Sequence, residues 1–255
     1  MNRKFDDWIG RRVWLIGASA GIGAATARLL LDQGAHVALS ARRQEILEQM
    51  CVGEAQALSV PLDIVDHASV LRARERILKQ WPRIDLVLIV AGGYGAMSSD
   101  SFDLREANRL LDLNLRGVYH CLDAVLPVLL RQGAGGIGIV ASVAGYGGLP
   151  KALAYGPAKA ALINLSEALY LDLAPRGIDV YQINPGCVDT APTAQNDSTK
   201  PTLMSAEQAA WKLIRGIERG QFHIHFPRRF SNVLRLMRLL PYRLYFWCVH
   251  KAAGL

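Results

Sequence analysis

A glycine-rich turn near the N-terminus constrains the fold of this chain more than any other stretch. Residues 12–16 read RVWLI, an apolar run typical of a buried strand, and residues 20–34 have the apolar spacing of a helix. The sequence GASAGIG, residues 17–23, joins them, and its glycines allow a sharp turn and a close approach of the backbone to a pyrophosphate. The free N–H groups of the first helical turn would face those phosphates. The predicted dinucleotide contacts are Gly17, Ser19, Gly21, Ile22 and Gly23; a turn without a ligand is the alternative.

Strand-like and helix-like segments alternate along the chain with short connections. The order predicts an α/β fold, a doubly wound and mostly parallel sheet in one domain over residues 1–227, followed by a C-terminal extension, residues 228–255. In such sheets ligands bind beyond the carboxyl ends of the strands. The predicted strands are 12–17, 36–40, 55–63, 84–93, 135–142, 177–186 and 221–227, and the predicted helices are 20–34, 44–50, 67–81, 102–114, 115–132, 154–175 and 206–220.

The end of the second predicted strand indicates which dinucleotide would bind. An acidic residue at this place holds the ribose 2′-hydroxyl of NAD(H), whereas a basic residue accepts the 2′-phosphate of NADP(H). The chain reads LSARRQE here, with Ser40, Arg42 and Arg43 and no acid at the strand end. The planar guanidinium of arginine suits a phosphate. We therefore favour NADP(H) over NAD(H); the alternative is that both arginines are solvated surface charges.

A tyrosine and a lysine stand one helical turn apart at the start of the helix predicted for residues 154–175. Tyr155 and Lys159 are four residues apart and so share a helix face, and an ammonium beside a phenol favours the phenolate. Together with the glycine turn and with Ser142, these residues resemble the motifs of the short-chain dehydrogenase/reductase family over about residues 12–227. The resemblance implies a Rossmann-like fold, a nicotinamide cofactor and a small-molecule carbonyl or alcohol substrate. For Tyr155 and Lys159 alone, an ordinary surface helix is the alternative.

The resemblance also implies a role for each member of this group. Ser142 would hydrogen-bond the substrate oxygen, and Tyr155 would be the general acid in reduction and the base in oxidation. Lys159 would bind the nicotinamide ribose and lower the pKa of Tyr155. Asn114, in LDLNLRG, would hold a water that links Lys159 to solvent.

Three further segments match cofactor-binding positions of the family. Asp63 resembles an aspartate that contacts the adenine, with an N-cap of the 67–81 helix as the alternative. The VAGG turn follows the fourth strand, and NPGCVDT follows the sixth, where a plain turn is the alternative. The predicted contacts in these two turns are Ala91, Gly92, Pro185, Gly186, Val188 and Thr190.

Two residues depart from the family pattern. Ile16 stands where a threonine is usual, and Val90 stands where an asparagine is usual. In the family both polar side chains support neighbouring backbone. We hypothesise that apolar contacts replace that support here.

Charge and cysteine content bound the remaining functions. The net charge is +7, and residues 227–255 hold six cations and no acid, so the body is close to neutral. We expect no nucleic-acid-binding face on that body. The four cysteines are widely spaced and the N-terminus lacks a signal-like apolar stretch, which favours free thiols in the cytoplasm. His223 and His225 share a strand face without a third ligand, so we expect no metal site.

The basic extension, residues 228–255, allows more than one interpretation. Within residues 230–240 the apolar arc carries Phe230, Val233, Leu234, Met237 and Leu240, and the opposite arc carries Ser231, Asn232, Arg235 and Arg238. The extension would lie on a membrane surface, cover the pocket, or pack on another subunit, with disorder as a further alternative. Substrate contacts would concentrate in residues 189–202. By resemblance, pairing of the 115–132 and 154–175 helices predicts a homodimer or homotetramer.

Overall fold

A computed structural model describes residues 2–5, 7–189 and 204–254. Helices and strands alternate along these residues, as the pattern predicts. The strands are β1 (Arg12–Ile16), β2 (His36–Ser40), β3 (Ala57–Ser59), β4 (Leu86–Ile89), β5 (Gly135–Val140), β6 (Ile178–Pro185) and β7 (His223–Phe226). The helices are α1 (Gly21–Asp32), α2 (Gln44–Cys51), α3 (His67–Gln80), α4 (Leu104–Leu111), α5 (Gly117–Gln132), α6 (Tyr155–Leu173), α7 (Ala206–Glu218), α8 (Arg228–Met237) and α9 (Tyr242–Ala253).

The strands form one parallel sheet in the order β3-β2-β1-β4-β5-β6-β7. The chain winds outward from β1 to β3 and then returns to β4 on the other side of β1. The direction of winding therefore changes between β1 and β4, where doubly wound sheets bind their ligands. The predicted fold class, a single Rossmann-like domain, is confirmed.

Each face of the sheet is covered by its own group of helices. Side chains alternate along β1, so Val13 and Leu15 face the α1 side while Trp14 and Ile16 face the α5 side, and all four are fully buried. Helices α1, α2 and α7 pack on the first side, and α3, α5 and α6 pack on the second. Because both faces are buried, the strands read as continuous apolar runs instead of alternating ones.

The turn between β1 and α1 depends on two of its glycines. Gly17 has φ +102°, and a Cβ placed there would lie 2.5 Å from the Ala91 backbone nitrogen. A Cβ on Gly23 would lie 1.9 Å from the Gly17 carbonyl oxygen. Larger residues cannot occupy either position without a backbone shift, so the turn packs directly against the segment that follows β4.

Two elements differ from the sequence prediction. The strand predicted at 55–63 pairs only over Ala57–Ser59; the chain then reaches Pro61, which has no N–H for a ladder. The helices predicted at 102–114 and 115–132 end and begin at a π-helical turn, Asp112–Arg116, which carries the buried Asn114. Such turns are frequent at functional sites.

By length and composition, one helical stretch among the described residues could cross a membrane. It is Leu104–Gln132, and half of its apolar window is buried inside the protein. Val118, Cys121 and Val125 of α5 lie in the core beneath the sheet, so this helix is accounted for by packing.

The basic extension forms two helices joined at Pro241. Helix α8 packs on β7, and its Ser231 is fully buried, with the hydroxyl 2.7 Å from Nδ1 of His225. Ser231, on the polar arc of the sequence pattern, therefore faces the body of the protein, where this hydrogen bond holds it. Val233, on the apolar arc, is exposed.

Candidate active site

A cleft of about 410 Å³ opens at the carboxyl ends of β1, β4, β5 and β6. It lies at the change of winding direction, as expected for a nucleotide fold. The structure brings every predicted site residue that it describes into the lining of this cleft, and Thr190 lies outside the described residues, as do positions 191–202 of the expected substrate segment. The lining includes Gly17, Ser19, Gly21, Ile22, Gly23, Arg42, Arg43, Asp63, Ala91, Gly92, Asn114, Ser142, Tyr155, Lys159, Pro185, Gly186 and Val188.

The N-terminus of α1 is open to an anion. Its N-cap residue, Ala20, has no side chain that could accept the free N–H groups, and no acidic residue lies in the first turn. Unsatisfied amides and the positive end of the helix dipole together favour a phosphate. The glycine turn brings these amides to the cleft, so this end fits the pyrophosphate of a dinucleotide.

The loop after β2 brings two arginines to the same end. Nη2 of Arg43 donates hydrogen bonds to the backbone oxygen of Ser19 at 2.9 Å and to its Oγ at 3.0 Å, which ties the two loops together. Arg42 lines the cleft beside it. Both side chains are largely exposed, so they keep donors for a ligand phosphate.

Ser40, at the end of β2, does not line this end of the cleft. Its Oγ accepts a hydrogen bond from Nε1 of Trp14 at 2.9 Å and donates one to the Val60 carbonyl oxygen at 2.7 Å. The residue is fully buried. Its hydroxyl therefore ties β1, β2 and the segment after β3 together, and the residues that follow it, Ala41 to Arg43, line the cleft instead.

Asp63 also lines the cleft, at the end of the segment that follows β3. Its Oδ1 accepts a hydrogen bond from the Val65 N–H at 3.0 Å. The N-cap of α3 is Asp66, so the alternative of Asp63 as that cap was wrong. The carboxylate retains acceptor positions for an adenine amino group.

Ser142 and Tyr155 meet at the other end of the cleft. Ser142 follows β5 and is almost fully buried; its Oγ accepts from the Ala144 N–H at 3.1 Å and lies 3.4 Å from the Pro185 oxygen. Burial raises the pKa of Tyr155, and a hydrogen bond with Ser142 opposes that rise in part. The two hydroxyls are thus adjacent and point into one pocket, where a substrate oxygen could accept from both.

Lys159 is almost fully buried one turn along α6. Its Nζ donates to the Val140 carbonyl oxygen at 3.0 Å and lies 5.6 Å from the centre of the Tyr155 ring. Burial lowers the pKa of Lys159 to about 8. The expectation that Lys159 lowers the pKa of Tyr155 does not describe this state, because burial of the phenol outweighs its neighbours and the ammonium faces a carbonyl.

Asn114 closes the back of this end. Its Nδ2 donates to the Gly93 oxygen at 2.8 Å and to the Leu110 oxygen at 3.0 Å, and its Oδ1 accepts from the Gly93 N–H at 3.2 Å. A Cβ on Gly92 would lie 2.8 Å from Oδ1 of Asn114 and 3.3 Å from Nζ of Lys159. The π-helical turn therefore positions the amide against the glycine turn after β4, next to the lysine.

Ile16 and Val90 pack in the two different apolar clusters on opposite faces of the sheet. Ile16 is fully buried on the α5 side, while Val90 is partly buried against the α1 side. The Ile16 carbonyl oxygen accepts the N–H groups of both Val90 and Ala91, at 2.8 and 2.9 Å. Backbone hydrogen bonds hold this turn, and each apolar side chain packs on its own face.

The sequence reasoning missed an aromatic wall beside the two hydroxyls. The ring of Tyr94 meets the Tyr155 ring edge-on with centroids 5.2 Å apart, and Tyr94 lines the cleft. The residue directly follows the glycines of the VAGG turn, and this position was the available signal. Tyr94 therefore bounds the space in which a substrate would lie.

A second polar group extends from Ser142 toward β7. Nδ2 of Asn184 donates to the Ser142 carbonyl oxygen at 3.3 Å, and the Tyr146 hydroxyl lies 2.8 Å from Nε2 of His223. The His223 and His225 rings stack with centroids 4.6 Å apart. Burial lowers the pKa of His223 to about 4, so both rings are neutral partners of hydroxyl groups near neutral pH. No group of three metal-binding side chains occurs within residues 2–5, 7–189 and 204–254.

Known proteins resemble this chain over most of its length. A family model described as short chain dehydrogenase matches residues 11–201. An uncharacterised oxidoreductase of Myxococcus xanthus is 31% identical over 236 residues, covering 91% of this chain and 93% of that protein.

Two solved short-chain dehydrogenases share the fold. One, from Burkholderia cenocepacia in complex with NADP, has a TM-score of 0.79, 23% identity and coverage of 90% of this chain and 93% of its own. The other, from Burkholderia phymatum in complex with NAD, has a TM-score of 0.81, 22% identity and coverage of 91% and 94%. The cleft, its serine, tyrosine and lysine, and these likenesses lead to one conclusion: the chain is an oxidoreductase of the short-chain dehydrogenase/reductase family.

Proposed function

We propose that this protein is an NADP(H)-dependent carbonyl reductase or alcohol dehydrogenase for a lipophilic substrate. The observation that carries the proposal is the arrangement of the cleft. Ser142, Tyr155 and Lys159 converge at one end of it, and Arg42 and Arg43 stand at the other. The distance between the two groups is filled by the glycine turn and the open N-terminus of α1.

The chain's own residues would handle the proton. In reduction, the Tyr155 hydroxyl donates its proton to the substrate oxygen while the Ser142 hydroxyl holds that oxygen by a hydrogen bond. Burial raises the pKa of Tyr155, which keeps the phenol protonated near neutral pH, the form that donates. Lys159, whose Nζ lies 5.6 Å from the ring centre, would turn from the Val140 carbonyl oxygen to stabilise the phenolate that remains. When bound, a nicotinamide would supply the hydride in this direction and accept it in the other.

The preference for NADP(H) rests on the loop after β2. Arg42 and Arg43 offer several N–H donors at the place where a 2′-phosphate would lie, and no carboxylate stands at the end of β2 to grip a ribose hydroxyl. NAD(H) is the second candidate, because one structural relative was solved with each dinucleotide.

The proposal of a lipophilic substrate depends on the residues around the hydroxyls of Ser142 and Tyr155. Tyr94 and Leu113 line the cleft there, and Cys187 lies near enough to Tyr155 to affect its pKa. An apolar group attached to the reacting carbon would bury itself against these side chains.

The experiment is a panel of aldehydes and ketones with NADPH and with NADH, followed by the absorbance of the reduced nicotinamide. The Tyr155→Phe variant should lose about a thousandfold in turnover while calorimetry shows unchanged dinucleotide binding. Tyr119→Phe, at an exposed tyrosine of α5, is the matched control and should behave as wild type. If the wild type binds a dinucleotide but reduces nothing, the protein is a nucleotide-binding scaffold and the proposal fails.

A further inference from the structure

The basic extension presents an unusual concentration of exposed apolar side chains. Of the seventeen large apolar side chains that are exposed among the described residues, seven lie between positions 233 and 247. Leu239 is 81% exposed, Leu236 64% and Trp247 59%. Scattered apolar residues on a surface are ordinary, but a contiguous group marks a contact surface. The seven are Val233, Leu236, Leu239, Tyr242, Leu244, Phe246 and Trp247.

Cations accompany these side chains on the same outward faces. On α8, Arg229, Val233 and Leu236 follow at helical spacings of four and three residues and all are exposed. On α9, Phe246 and Trp247 follow Arg243 by three and four residues, so all three lie on one exposed face. The inward side of each helix is taken by other residues, such as Ser231 and Tyr245.

The charge of the extension is entirely positive. Residues 228–254 include six cations and no Asp or Glu, and all six cations are exposed. None of them forms an ion pair with a carboxylate of the described residues. A second neutral protein surface would leave these charges without partners, whereas anionic lipid headgroups would neutralise them while the apolar side chains enter the acyl boundary.

The lengths of the helices decide how such a contact is made. Helix α8 has 10 residues and α9 has 12, and Pro241 separates them. At about 1.5 Å per residue, neither reaches across a hydrocarbon core of roughly 30 Å. Aromatic side chains such as Tyr242 and Trp247 prefer the headgroup level of a bilayer. The pair would therefore lie along the membrane surface.

We propose that the outward faces of α8 and α9 form a docking surface for a membrane that contains anionic lipids. One hydrogen bond and one close approach place the inward side of the extension next to the cleft. The Tyr245 hydroxyl donates to the Gly148 oxygen at 2.7 Å, in the loop between Ser142 and Tyr155, and a Cβ on Gly186 would lie 3.4 Å from the Phe230 ring. The docked helices would thus lie beside the loops that border the cleft. Delivery of a lipophilic substrate from the membrane rests on the proposed function, but the docking does not.

Co-sedimentation of the full chain with vesicles tests the docking without any turnover. The wild type should sediment with vesicles of phosphatidylcholine mixed equally with phosphatidylglycerol, sediment poorly with phosphatidylcholine alone, and lose binding as salt rises. The pair Arg229→Gln and Arg243→Gln should partition about thirtyfold more weakly, since each cation near an anionic surface contributes roughly fivefold. Leu236→Ser with Trp247→Ser should weaken binding by at least about tenfold.

Matched controls separate the surface from general effects of charge and hydrophobicity. Arg131→Gln with Arg219→Gln removes the same charge from exposed sites on the body, and Ile9→Ser with Val52→Ser removes exposed apolar groups there. Both control pairs should sediment as wild type. A wild type that stays in the supernatant, or control pairs that lose as much binding as the extension pairs, would overturn the proposal. Light scattering tests whether a second copy of the chain covers this surface instead. If the extension variants dissociate an oligomer but still sediment with vesicles as the wild type does, the surface binds a second copy and membrane docking is refuted.

Discussion

Lys159 should destabilise the protein when no cofactor is bound, and replacing it by methionine tests this directly. Burial lowers the pKa of this lysine from 10.5 to about 8. Since each pH unit corresponds to about 1.4 kcal/mol, the charged side chain costs the folded state about 3 kcal/mol near neutral pH. Methionine has a similar length and no charge, but it leaves the Val140 carbonyl oxygen without its donor, which costs roughly 1 kcal/mol. Lys159→Met should therefore raise the free energy of unfolding by about 2 kcal/mol at pH 7, although it removes activity.

The pH dependence gives the sharper test. Below the folded-state pKa of about 8 the whole cost is present. As the pH rises from about 8 toward 10.5, the folded protein releases the lysine proton before the unfolded chain does, so the wild type gains stability relative to the variant. Urea denaturation of both proteins without cofactor, across this range, should show the difference shrinking. The exposed Lys79→Met is the control and should give a difference independent of pH. A variant that is less stable than wild type by the same amount at every pH would refute the reasoning.

Three further predictions concern the cofactor end of the cleft and the turn after β4. Replacing Arg42 and Arg43 by alanine should raise the KM for NADPH by roughly tenfold to a hundredfold, the size expected for lost charge-assisted hydrogen bonds, and leave the KM for NADH nearly unchanged; steady-state kinetics with both cofactors checks this. Gly23→Ala would place a Cβ 1.9 Å from the Gly17 oxygen, so calorimetry should show loss of dinucleotide binding, and retained affinity would contradict the close packing. Val90→Asn alone should not raise the melting temperature, because the side chain packs against an apolar core; a clear gain would count against apolar replacement of the usual support.

The fold could be predicted because its signals are local and repeat along the chain. Runs such as RVWLI are apolar throughout since both faces of the sheet are covered, and a glycine follows β1 where the backbone must turn sharply. The residues of the cleft followed from the fold, since parallel strands bring their carboxyl ends to one edge. Tyr155 and Lys159 were identified by their spacing on α6 together with the glycine turn and Ser142.

Two kinds of feature could not be predicted from the sequence: a single irregular turn inside a helix, and contacts between residues on different elements. Apolar periodicity does not distinguish an α-helix from one that contains a single π-helical turn, so the turn around Asn114 was missed. The contact of Ser231 with His225 was not predicted because the two residues belong to different elements. The pKa of Tyr155 depends on how much protein surrounds the ring, and spacing along a helix does not contain that quantity.

Ser40 and the residues that follow it have different tasks: Ser40 is buried and holds the sheet together, whereas Arg42 and Arg43 are exposed and line the cleft. The Ser40 hydroxyl is committed to Trp14 and Val60 inside the sheet, so under the proposed function discrimination between the two dinucleotides would fall on the loop that starts at the next residue. That loop can change without disturbing the packed interior. A few substitutions among these exposed side chains would therefore change which nicotinamide pool of the cell the enzyme draws on, and would leave the sheet beneath them intact.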